Sequence, residues 1–144
     1  MPLGPRQLAL RFALPCALLV PLPAEATTGA TTPEAALEAY VGGLQAGRVD
    51  LLETLFLPDG QFCRLPQDTA APIDCQRFAA VLGSWAAHPD PQARGRVLDR
   101  RDAMPAMSAV TYELHFGGDT YVDQLLLYRT AAGWRVVAKT TAVR

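Results

Sequence analysis

The sequence predicts an α+β fold, with helices in the first half and then an antiparallel meander whose one face the helices cover. Three observations carry this reading. Apolar residues recur at helical spacing as far as His88-Pro89. From Gly95 onward the pattern changes to strand-like runs. Gly117-Gly118-Asp119 and Ala131-Ala132-Gly133 then supply hairpin turns between the last three of them.

Taken in order, Thr32-Pro33-Glu34 is a helix start, with Thr as N-cap and Pro at the first helical position. Leu37, Tyr40, Val41 and Leu44 follow on one face, and Gly47 ends the helix. Val49 to Phe56 reads as a second, short helix, stopped by the turn signal Pro58-Asp59-Gly60. Gln61 to Leu65 is strand-like. Asp74 can cap a third helix carrying Phe78, Val81, Leu82 and Trp85. Strands are expected over Arg96 to Arg101, Ser108 to Phe116, Tyr121 to Arg129 and Trp134 to Val143.

Ahead of these elements, residues 1–26 read as a secretory signal peptide. Arg6 and Arg11 precede the apolar run Phe12 to Leu22, and Ala24-Glu25-Ala26 places small residues where a signal peptidase reads them. A membrane anchor needs about 20 apolar residues in a row, and this run is shorter and broken by Pro15 and Pro21, so no stable membrane span is expected after cleavage. Lipid attachment at Cys16 is the rival, disfavoured by Pro15 before it. Residues 27–32 (TTGATT) form a short flexible leader, and 33–144 a single domain. The compartment is secreted or periplasmic.

Removing 26 of the 144 residues leaves 118, the size of one domain. Removing Arg6, Arg11 and Glu25 from 13 basic and 14 acidic residues leaves 11 against 13, a charge near −2. Nucleic-acid binding calls for a basic excess or stripe, so that class of partner is excluded. Cleavage also removes Cys16 and leaves Cys63 and Cys75, an even pair in an oxidising compartment, which points to a disulfide. Free buried thiols are the alternative. No metal site is expected, because His88 and His115 have no ligand-like spacing to either cysteine.

The run AYVGGLQAGRVDLLETLFLPDGQF and the final hairpin YVDQLLLYRTAAGWRVVAKTTA resemble the nuclear transport factor 2-like superfamily. They are most similar to its lumazine-binding branch, whose pattern pairs "Y-x-x-G-L-x-x-G" and "L-F-x-P-D" with a last hairpin "D-x-L-x-L-x-x-x-x-G-x-W-x-I/V-V". The resemblance implies a cone-shaped, curved antiparallel sheet with about three N-terminal helices packed on its concave face. It transfers no activity, since the superfamily holds isomerases, cyclases, dehydratases and binding domains alike.

Ketosteroid isomerases of the superfamily use a helix-one tyrosine and a protonated acid as oxyanion hole, with a second carboxylate as base. By that resemblance the tyrosine falls on Tyr40 and the oxyanion acid on Asp123, while the base position falls on Arg64. An arginine is always charged and takes up no proton. Asp59 and Glu113 are the substitute bases the sequence offers, the first better explained as a turn residue. The bland readings are a core tyrosine at Tyr40, an outer-face carboxylate at Asp123, a surface charge at Arg64, a solvated strand end at His115, and packing for Trp85 and Trp134.

Tyr40, Arg64 and Asp123 are therefore the ligand-pocket candidates, with no catalytic residue assigned and no cofactor expected. The reading is an exported domain that binds a small, partly apolar ligand without catalysis, possible as a homodimer through the exposed sheet face. An isomerase, dehydratase or cyclase using a non-standard base is the alternative. A structural or interaction domain acting through the sheet face is the third reading.

Overall fold

The computed structural model describes residues 29–144. The expected signal peptide and the first two leader residues lie outside them. The elements run α1 (Pro33–Ala46), α2 (Val49–Leu55), β1 (Phe56–Arg64), β2 (Asp74–Arg77), α3 (Phe78–Ala86), β3 (Arg94–Met104), β4 (Met107–Phe116), β5 (Asp119–Thr130) and β6 (Gly133–Val143).

Local chemistry sets the helices. Thr32 Oγ1 accepts from the Ala35 amide at 3.1 Å, satisfying an orphan donor of the first turn, and Gly47 closes α1 in the left-handed region at φ 62°. Ala36, Leu37, Tyr40 and Leu44 form the buried stripe of α1. Leu52 of α2 packs where Gly43 of α1 has no side chain; a Cβ there would lie 2.6 Å from Leu52 Cδ2. The described part of the leader is tied down, because Ala30 O accepts from the Trp134 amide at 2.8 Å.

The six strands make one sheet in the order β2-β1-β6-β5-β4-β3. The α+β class holds, with one departure from an antiparallel sheet. β1 pairs parallel with β6 through Phe62↔Lys139, Cys63↔Thr140 and Arg64↔Thr141. The other ladders are antiparallel. Along β5, Asp123, Leu125 and Leu127 are buried under the helices, while Gln124, Leu126 and Tyr128 face out.

Three expectations are corrected here. Helix α2 ends at Leu55, and Phe56 opens β1. Pro58-Asp59-Gly60 is part of that strand rather than a turn. Its register with β6 shifts between Phe56 and Gln61, so the missing Pro58 amide interrupts a ladder that is already irregular. Gly60 lies so close to β6 and α3 that a Cβ would sit 2.5 Å from Val137 O and 2.8 Å from the Phe78 ring. Asp74 belongs to β2 and caps no helix. Cys75 lies directly opposite Cys63 in the β1–β2 ladder, and their disulfide draws residues 74–77 into the sheet, so α3 starts at Phe78 without a side-chain cap.

Candidate functional site

A cavity of about 90 Å³ opens between the helices and the sheet. Tyr40 and Leu44 reach it from α1, Trp85 from α3, Phe62 and Arg64 from β1, Leu114 and Phe116 from β4, Tyr121 from β5, and Lys139 and Thr141 from β6. That volume holds several waters or a small ring. Half of the lining residues are aromatic. Trp85 packs edge-on against Phe62 with centroids 5.1 Å apart, and Phe56, behind the wall, meets Trp85 at 5.6 Å and Tyr40 at 5.1 Å.

At its floor is a buried polar cluster. Lys139 Nζ donates to Tyr40 Oη at 2.6 Å and lies 3.0 Å from Asp123 Oδ2. Thr141 Oγ1 donates to Asp123 Oδ1 at 2.5 Å. Asp123 is 0 % exposed and Lys139 4 %. Oδ2 has no aligned hydrogen-bond donor, so the ammonium is its charge partner rather than an ideal donor. Nζ also stands 4.8 Å from the Trp85 ring centre, 5.0 Å from Tyr40 and 5.6 Å from Phe62, within cation–π range of all three.

These surroundings shift acidities. Burial lowers the Lys139 pKa below the ordinary lysine value, opposed by the attraction of Asp123 and assisted by the charge of Arg64. Burial raises the Tyr40 pKa well above that of a free phenol, reinforced by Asp123. Tyr40 is thus a neutral donor and acceptor, its oxygen occupied by Lys139 and its own proton left to donate.

A bulge in β6 builds this cluster. Leu127 pairs with Val136 and Leu126 with Ala138, which leaves Val137 as the extra residue. Before it Trp134 and Val136 face the core; after it Lys139 and Thr141 do. Thr141 then stands opposite Asp123, and Lys139 opposite Leu125.

Of the sequence candidates, Tyr40 and Arg64 line the cavity, and Asp123 sits behind Lys139 facing inward. Arg64 is exposed at the rim and has no ion-pair partner among the described residues. The disulfide between Cys63 and Cys75 joins the residue beside Arg64 to β2. Neither substitute base is in the cavity. Asp59 pairs with Arg77 at 3.1 Å on the surface, and Glu113 is held on the opposite sheet face by Arg96 at 2.8 Å and Arg144 at 2.9 Å. His115 lies beside Glu113 and bonds Thr120 at 3.0 Å.

Lys139 and Thr141 are missing from the sequence reading, and Trp85 lines the cavity as well as packing. Simple alternation from Trp134 and Val136 turns Lys139 outward. One signal was available: Lys139 is the single lysine in the chain, the other 12 of its 13 basic residues being arginines, and it stands in the mainly uncharged stretch VVAKTTAV.

Helices over one face of a six-stranded sheet, with an aromatic cavity between them, define a nuclear transport factor 2-like domain. Solved structures support the fold. An NTF2-like protein of unknown function from Silicibacter pomeroyi DSS-3 superposes with TM-score 0.67 at 17 % identity, over 77 % of this chain and 92 % of that one. Another from Shewanella baltica OS155 gives 0.65 at 15 %, over 76 % and 88 %. A ketosteroid isomerase-like protein from Erwinia carotovora atroseptica SCRI1043 gives 0.57 at 14 %, over 76 % and 92 %. No curated protein matches the chain. The chain belongs to the family described as "Putative lumazine-binding", whose model matches residues 30–141.

Proposed function

We propose that this domain is an exported, non-catalytic binder of a small, partly apolar ligand. The ligand would lie in the aromatic cavity, with Tyr40 and Lys139 as polar contacts at the floor and Arg64 at the rim. The observation that carries the reading is the buried Lys139–Asp123 pair beneath three aromatic rings, facing a cavity rather than a filled core. Burying an ion pair costs several kcal/mol in desolvation, which packed apolar residues would avoid.

The family's description as lumazine-binding supports a planar, ring-bearing ligand. The disulfide suits an oxidising compartment and so supports export. Proton-transfer chemistry of the ketosteroid isomerase kind is disfavoured, because Arg64 stands where the resemblance places the base and no carboxylate among the described residues lines the cavity to replace it.

Native mass spectrometry of the protein isolated from its own compartment tests this reading. A retained ligand is expected, and it should be lost in Phe116→Trp, where a larger ring at the half-buried cavity wall takes up the space. An empty protein, together with no change in Trp85 fluorescence on titration with planar aromatic compounds, overturns it.

A further inference from the structure

Arginine serves wherever this chain needs a surface positive charge, and its one lysine is placed inside the cavity. The two side chains differ in one relevant respect. Guanidinium stays protonated, whereas a buried lysine can release its proton and become a nucleophile. Lys139 Nζ has the neighbours such a step needs: a carboxylate at 3.0 Å to take a proton, and a phenol at 2.6 Å to give one to an oxygen. Apolar walls of Phe62, Trp85 and Leu114 would exclude water from the bond formed.

We propose that Lys139 captures its ligand covalently and reversibly, as an imine with a planar aromatic or conjugated aldehyde or ketone. This rests on the small-ligand reading above, since the amine needs a ligand in the cavity to react with. The Lys139 ammonium passes a proton to Asp123, and the freed lone pair attacks the carbonyl carbon while the C=O π bond opens onto oxygen. Tyr40 protonates that oxygen and recovers a proton from the new nitrogen centre, giving a neutral carbinolamine. The proton held by Asp123 returns to the carbinolamine hydroxyl, which leaves as water while the nitrogen lone pair closes the C=N bond. The product is an iminium of the same charge as the original ammonium, with Asp123 as its counter-ion. No oxidant or reductant takes part.

The groups that face Nζ fit this balance. Asp123 comes from β5, Tyr40 from α1, and Arg64 approaches from β1, while α3 presents the uncharged Trp85. Burial and Arg64 favour the free amine, and Asp123 favours the ammonium.

The test is reductive trapping of the folded mature protein with benzaldehyde and cyanoborohydride at neutral pH, followed by peptide mapping. Lys139 is the single lysine of the sequence, so an adduct mapped to its peptide is assigned without ambiguity. The expected result is a benzyl adduct on Lys139, formed roughly tenfold or more faster in the folded protein than at the same residue in the urea-unfolded chain. Tyr40→Phe should slow trapping, and Asp123→Asn should alter its pH profile, in variants whose circular dichroism matches the parent. The comparison of folded with unfolded parent needs no variant and decides the matter if neither folds. Labelling confined to the N-terminus, or no faster at Lys139 when folded, overturns the imine. Benzyl alcohol, which has the ring without the carbonyl, separates the two readings. Quenching of Trp85 by benzyl alcohol without trapping by benzaldehyde overturns covalent capture and leaves binding intact. No quenching and no trapping removes both.

Discussion

Asp123 and Lys139 each make the other tolerable. Asp123→Ala leaves an ammonium 4 % exposed with only Tyr40 and aromatic faces around it, and should cost about 3–5 kcal/mol in urea denaturation. Lys139→Met strands the carboxylate in the same way, with Thr141 as its remaining donor. The double variant Asp123→Leu/Lys139→Met should recover most of the loss, a coupling that a pair of independent surface charges would not show. Equal, additive losses would refute the pairing.

The same lysine gives stability a sign with pH. Its folded pKa lies below the 10.5 of an ordinary lysine. Between the two values the unfolded chain holds a proton that the folded chain has released, so stability rises with pH across that window. Tyr40 and Tyr112 act the other way above the ordinary phenol value of 10.0, because unfolded phenols ionise while the folded ones, Tyr112 at about 12, keep their protons. Subtracting the urea midpoint of Lys139→Met from that of the parent isolates the lysine's part. The difference should grow as pH rises toward 10.5, and a flat or falling difference counts against a depressed lysine.

At the scale of elements, β6 supplies the floor of the cavity, and β2 anchors the edge strand β1 beside Arg64. Deleting Val137 removes the bulge and forces a choice between Trp134 and Val136 facing in, or Lys139 and Thr141 facing in. Either choice buries the wrong set, so loss of cooperative unfolding is expected, whereas Val137→Ala should cost only about 1 kcal/mol. Reducing the bond between Cys63 and Cys75, which are 12 positions apart, frees residues 64–74 and should lower stability by about 3 kcal/mol. The β1–β2 edge should then be cut first by protease in residues 65–73. Gly60→Ala should destabilise more than Gly117→Ala or Gly118→Ala, whose added Cβ would meet open space, since the Gly60 Cβ meets the Val137 carbonyl, which cannot move without the strand.

Over the whole molecule, the described chain begins its packing before α1. A protein starting at Thr27 should melt with the full-length chain, while one starting at Pro33 loses the Thr32 cap, about 1 kcal/mol, and the Ala30–Trp134 bond. Thermal melts of the two check this. The α+β order, α1 with its caps, and the β4–β5–β6 meander were legible because each rests on local pattern: Thr32-Pro33, Gly47, and the two glycine-bearing turns. Pro58-Asp59-Gly60 misled because its extended conformation is set by Val137 and Phe78, residues distant in sequence. Asp74 misled for a similar reason, since the cross-strand cysteine pairing overrides its capping preference. In the site, Tyr40 follows from the helical stripe. Asp123 is ambiguous between the two faces of β5 in the sequence, because the register that sets Thr141 opposite and Lys139 diagonal to it depends on the bulge at Val137.

The inserted Val137 also bears on how this pocket is passed between relatives. Its orientation depends on how many residues lie between Trp134 and Lys139, not only on which residues they are. A relative could keep every side chain of the cluster, yet lose the pocket by a single-codon deletion. Another could acquire the same pocket by gaining one codon in a strand that already carried a surface lysine. Searches for proteins sharing this chemistry should therefore match strand length and ladder register before residue identity.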